Sequence, residues 1–127
     1  MFERSRSNRY WSLRVQAEGK LGDIPALETS LAGWCGAHPK RTAQARVHVA
    51  RALLSHSAVD RALELLDLAL TENPDFPLAH ILSAEGLMLR GDYQSARRSF
   101  ELAAPRTDSE SRRYVKLKDR LGELVGV

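Results

Sequence analysis

From Ala43 onward the apolar positions recur with helical spacing. Val47, Ala50, Leu53 and Leu54 share one face of a first segment. Ala62, Leu63, Leu66, Ala69 and Leu70 share one face of a second. That three-and-four spacing turns an apolar stripe toward a core. A polar break at Ser57 separates the two, and Ser57-x-x-Asp60 reads as a capping box opening the second helix. Asn73-Pro74 and Pro77 interrupt the chain again, because proline removes a helical donor and clashes with the preceding turn. Further on, Gly91 is placed to end one helix and Asp92 to cap the next.

The same arrangement occurs twice. Residues 43–76 and residues 77–110 are each 34 long, and matching residue types fall at matching places. Ala50 corresponds to Ala84, Ala62 to Ala96, Ala69 to Ala103, Leu53 to Leu87 and Leu66 to Phe100. Alanine at these points allows two antiparallel helices to approach to the close end of the ~8–10 Å range. The motifs Gly91-Asp92-Tyr93-x-x-Ala96-x-x-x-Phe100-x-x-Ala103 and Ala62-x-x-x-Leu66-x-x-Ala69-x-x-x-x-Pro74 carry the periodicity. The pattern resembles the tetratricopeptide repeat, an antiparallel helix pair of this length. The resemblance implies an all-α, right-handed superhelical stack of helix pairs, an α-solenoid.

A degenerate earlier unit is expected over residues 8–41, carried by Trp11, Gly22-Asp23, Leu31 and Pro39, with Asp23 and Pro25 opening its second helix. Leu27 and Trp34 stand there in place of small residues. After repeats 43–76 and 77–110, Thr107-x-x-Glu110 launches a capping helix over 107–124, with Tyr114, Val115, Leu117, Leu121 and Leu124 on one side. Residues 8–127 are thus expected to form one domain, preceded by a flexible arm over residues 1–7.

Composition narrows the class. With 127 residues, 43% hydrophobic and 28% charged, the chain has the balance of a folded domain. The formal charge of +3 is unevenly spread. Both ends carry excess Arg and Lys around a nearly neutral middle. No apolar run approaches the ~20 residues of a membrane span, and no signal peptide is legible. These features, with the Arg-rich composition, predict a bacterial cytoplasmic chain or an excised piece of a larger protein. The single cysteine, Cys35, excludes an internal disulfide and a cysteine-built zinc site, so neither metal nor cofactor is expected.

The resemblance implies a concave surface lined by the first helix of each pair, suited to a peptide or helix of another protein. The residues expected there are Val47, His48, Arg51, Leu54, Ile81, Leu82, Glu85, Met88 and Val115, with Arg9, Gln16, Gln44, Arg112 and Lys116 as its polar positions. Val47, Leu54, Ile81, Leu82, Met88 and Val115 would form an exposed apolar track for an apolar ligand. The charge of Ile81→Glu or Met88→Glu would then abolish capture without loss of helix. Relatives that clamp the terminal carboxylate of heat-shock chaperones use Lys, Asn and Arg. The corresponding places here hold Ser12, Gln16, His48, Leu78 and Leu82, so that ligand is not expected. No catalytic motif occurs. The expected role is a non-catalytic adaptor, assembly factor or small chaperone. One alternative is self-association into a homodimer, with Phe2, Tyr10, Trp11 and Trp34 exposed for docking. Others are assembly within a secretion or polysaccharide-export machine, and a weaker nucleic-acid role for the Arg112–Arg120 face.

Overall fold

The computed structural model describes residues 7–103 and 108–125. They form seven helices: α1 (Asn8–Leu21), α2 (Ile24–Ala37), α3 (Thr42–Ser55), α4 (Val59–Glu72), α5 (Pro77–Leu89), α6 (Tyr93–Leu102) and α7 (Asp108–Val125), with one 3-10 turn at Pro39–Arg41. Consecutive helices pack as the pairs α1/α2, α3/α4 and α5/α6. Each pair stacks on the next through α1, α2 and α3, then α4, α3 and α5, and α7 closes the far end against α5 and α6. The described residues are an all-α stack with no strand among them.

One turn is used three times. Gly22, Ser57 and Gly91 lie in the left-handed region, at φ 69°, 61° and 84°. Their amides donate to Gly19, Leu54 and Met88, while the next amides, of Asp23, Ala58 and Asp92, reach back to Glu18, Leu53 and Leu87 at 3.1, 2.9 and 2.9 Å. This paired bonding satisfies carbonyls that the helix end would otherwise leave open. Each second residue then caps the following helix. Asp23 accepts from the Ala26 amide at 3.1 Å, and Asp92 from the Ser95 amide at 3.2 Å. The expected Ser57-x-x-Asp60 capping box does not form. Ser57 takes the place glycine holds in the other two turns, and the N-cap falls to Ala58, whose side chain can accept nothing. Asp60 in the first turn of α4 still complements the helix dipole.

Small residues set the spacing. Ala50, Ala62, Ala69, Ala84 and Ala96 are fully buried. A Cβ at Gly19 would lie 2.9 Å from that of Ala52, so α1 and α3 touch there. The first pair is built with larger contacts. Leu27 and Trp34 are fully buried, and Trp34 Nε1–H donates to Asn8 Oδ1 at 2.9 Å. Trp11 is 9% exposed and occupies the space beside Gly33. Neither tryptophan is free to dock on a second copy, contrary to the self-association expectation; Phe2 lies outside the described residues. Of the expected arm over 1–7, Ser7 caps α1 by accepting from the Tyr10 amide at 3.1 Å, and residues 1–6 lie outside the description. The Thr107 capping box and the Leu124 side chain also lie outside it.

The apolar track is corrected. Val47, Ile81 and Leu82 are fully buried, and Met88 is 8% exposed. Val47 and Leu82 belong to the larger core, formed by α1–α5, whereas Ile81 and Met88 join Ala84, Ala96, Leu117 and Leu121 in a second core. The reason is geometric. An interior helix of a stack has its own partner, a preceding pair and a following element around it, so its apolar stripe spans most of its circumference. In α5 the four consecutive residues Ile81, Leu82, Ser83 and Ala84 are all buried.

Four outcomes follow for stability. Ala58→Asp should raise the urea midpoint of helix loss, by about 1 kcal/mol of added stability, because it supplies the missing cap. Gly33→Ala, whose new methyl would sit 2.4 Å from Trp11 Cη2, should destabilise by about 1–3 kcal/mol. Gly36→Ala, with open space around it, should stabilise by up to about 1 kcal/mol. Calorimetry of the pair reads the opposite signs. Ile81→Glu should cost about 3–5 kcal/mol through a buried unpaired carboxylate, and circular dichroism should show helix lost rather than retained.

Candidate functional site

With its apolar residues turned inward, the inner face of the stack presents a narrow polar stripe. On α3 the positions left open are Gln44, His48, Arg51 and Ser55, spaced three and four apart. Opposite α3, α1 offers Gln16 and Lys20. Gln16, Lys20, His48, Arg51 and Ser55 line a groove of about 470 Å³ that Arg113 of α7 also reaches. The Gly19–Ala52 contact forms its floor, since a larger residue at either place would push α1 and α3 apart. His56 Nε2–H donates to the Gly19 carbonyl and ties the two helices at one end.

His48 enters this groove on top of Trp34, with ring centroids 5.5 Å apart and planes 24° from parallel. Burial, then the neighbouring Arg51, holds its pKa below the usual histidine value. The ring is therefore neutral at pH 7, and its buried Nδ1 has no hydrogen-bond partner. Arg51 is half-buried beside it. Desolvation lowers its pKa from the ordinary value, and the charge of Arg113 adds to the effect.

A second opening, of about 700 Å³, continues the face between α5 and α7, lined by Glu85, Arg112, Arg113, Val115 and Lys116. Here Arg113 donates to both oxygens of Glu85, at 3.1 and 3.0 Å. Glu85 stands in an otherwise apolar helix, so its charge is compensated by the helix that covers it. Val115 is 54% exposed beside this pair.

The expected residues thus separate into two groups. Gln16, His48, Arg51, Glu85, Arg112, Val115 and Lys116 come together along the inner face. Val47, Ile81, Leu82 and Met88 do not, and half-buried Leu54 packs against the larger core and beside Gly86. Arg9 is exposed away from both openings, and Gln44 accepts from Arg41 at 3.4 Å. Arg113 was not among the expected positions. The signal for it lay in Glu85, a lone carboxylate in the apolar sequence Pro77–Leu89, which requires a cation from another element.

Nothing in this geometry activates a nucleophile. The Cys35 thiol is pushed up by burial, away from the reactive thiolate form. Among the described residues no His, Cys, Asp and Glu side chains converge as a metal site. No described helix is long and apolar enough to cross a membrane.

Comparison with known proteins gives one result. The family model described as tetratricopeptide repeat matches residues 53–121, more than half of the chain, from the end of α3 into α7. No match was found among curated proteins or among solved structures. Repeats of this kind generally mediate protein–protein interaction and typically do so without catalysis. The turns repeated at Gly22, Ser57 and Gly91, the buried alanines of the α3/α4 and α5/α6 pairs and the family match agree: this chain belongs to the tetratricopeptide-repeat family.

Proposed function

We propose that the inner face formed by α1, α3, α5 and α7 is a binding groove for a segment of another protein, and that the chain acts as a non-catalytic adaptor, assembly factor or small chaperone. The observation that carries this reading is the open stripe of Gln16, Lys20, His48, Arg51 and Ser55, continued by Glu85, Arg113, Val115 and Lys116. On the outer layer, charges such as Arg61 of α4 tie the stack together, clasping Glu28 of α2 through two bonds of 2.8 and 2.9 Å.

The buried track changes the kind of ligand. An apolar helix would need a greasy lining, and the residues assigned to supply it are committed to the two cores. What lines the openings is a set of polar and cationic side chains, whose aliphatic stems supply much of the exposed surface, with Val115 beside them. An extended segment with polar contacts suits such a stripe better than an amphipathic helix does. Association through such a surface depends on a few well-placed contacts rather than on area.

A photo-crosslinking residue in place of Ser55 on the inner face, and another in place of Asp67 on the outer layer, test the groove. Introduced into the protein in its source cells, the probe at 55 should capture a distinct partner band and the probe at 67 should not. Capture from 67 alone, or equally from both, contradicts the assignment.

A further inference from the structure

Several cations of the flanks are neutralised where they stand. Arg14, Arg46 and Arg61, on the flanks and outer side, each hold a carboxylate at 3.1, 3.1 and 2.8 Å, from Glu18, Glu72 and Glu28. Along the inner face the balance is broken. Lys20, Arg51, Arg112 and Lys116 line its openings with no acidic partner among the described residues, and Glu85, held by Arg113, is the one carboxylate lining them.

Arg51 is the member of this set least favoured by the fold. It sits half-buried over the α1–α3 contact and faces a second arginine, so it has lost hydration without gaining a counter-charge. Such a group is costly to stability and is relieved by an arriving anion. The openings, about 470 and 700 Å³, are joined through Arg113 and are large enough for several side chains rather than a single ion.

We propose that the inner groove seats an acidic stretch of a partner protein, with one carboxylate on Arg51 and Lys20 and the next on Lys116 and the free side of Arg113. This rests on the groove being the binding face, and it names the chemistry of the occupant. Charge complementarity selects that occupant, since like-charged segments are repelled and acidic ones are drawn in. The cations stand on α1, α3 and α7, outside the places of a chain-end clamp, so internal Asp and Glu side chains are the ligands rather than a terminal carboxylate. A nucleic acid fits less well. Trp11 and Trp34 are buried in the core, and of the rings lining the two openings, half-buried His48 is already stacked on Trp34 and His56 is tied to the Gly19 carbonyl, which leaves poor platforms for bases.

The test uses the full chain and two short fluorescein-labelled peptides with amidated ends, one alternating Glu with Ser and the other Gln with Ser. By anisotropy at low salt the Glu peptide should bind at least about tenfold more tightly than the Gln peptide, and the difference should shrink as salt screens it. Arg51→Gln should weaken Glu-peptide binding about tenfold while leaving the melting temperature equal or higher, because an uncompensated charge is removed. A purely structural arginine would instead lower the melting temperature. Equal affinity for the two peptides overturns the proposal, as does unchanged binding by Arg51→Gln. Tighter binding of a labelled oligothymidylate through Arg51 would also overturn it, assigning the groove to nucleic acid. If the probe at Ser55 captures a partner through a segment without acidic residues, the groove stands and the acidic occupant is wrong.

Discussion

The structure depends on how closely its helices can cross. Ala50, Ala62, Ala69, Ala84 and Ala96 are fully buried, and Gly19 meets Ala52 with no room for another atom. A larger side chain at any of these places would force the helices apart and open voids around the leucines beside them. Close crossing also decides what is left for solvent. A helix gripped by its partner and by two neighbouring elements retains only a narrow edge toward the groove. On α3 that edge is a line of single residues, Gln44, His48, Arg51 and Ser55. The width of the groove is therefore a consequence of the small residues at its back.

The last helix has two effects at once. Leu117 and Leu121 cover Ile81, Ala84 and Met88, and Tyr114 stacks on Phe100 with centroids 4.3 Å apart, so the apolar end of the stack is closed. The same helix brings Arg113 to Glu85 and aims Arg112 and Lys116 along the inner face. Covering the core and charging the groove are thus linked by one amphipathic element. Elsewhere the carboxylates answer cations across helices, as Glu28 does for Arg61, whose guanidinium holds the Glu28 carboxyl below its ordinary pKa. Inside the groove that compensation is absent, and the desolvated Arg51 marks where.

Much of this was legible in the sequence because it is written in residue size and spacing. The two units over 43–76 and 77–110 show their alanines at equal intervals, and Gly22-Asp23 and Gly91-Asp92 announce their turns. Ser57 misled because a serine before an apolar run ordinarily caps a helix. Only the left-handed backbone, shared with two glycines, shows that it ends one instead. The inner face was half legible. His48, Arg51 and Glu85 follow from repeat register, but Val47, Ile81, Leu82 and Met88 were assigned to the surface by treating α3 and α5 as helices with one covered side. The sequence Pro77–Leu89 held the correction, since a helix apolar all round is a helix covered all round. Arg113 could not be placed from its own helix alone; its position depends on how α7 lies across α5.

Val47 of α3 and Ile81 and Leu82 of α5 are sealed within the stack, and cations line the groove that remains open. Thiol labelling tests this directly, in a Cys35→Ala background carrying single cysteines at Val47, Ile81, Ser55 or Val115. Cysteines at 55 and 115 should react at nearly the rate of an unstructured peptide, and those at 47 and 81 only through opening of the fold, slowed by orders of magnitude. Rapid labelling at 81 with the helical signal intact would contradict it.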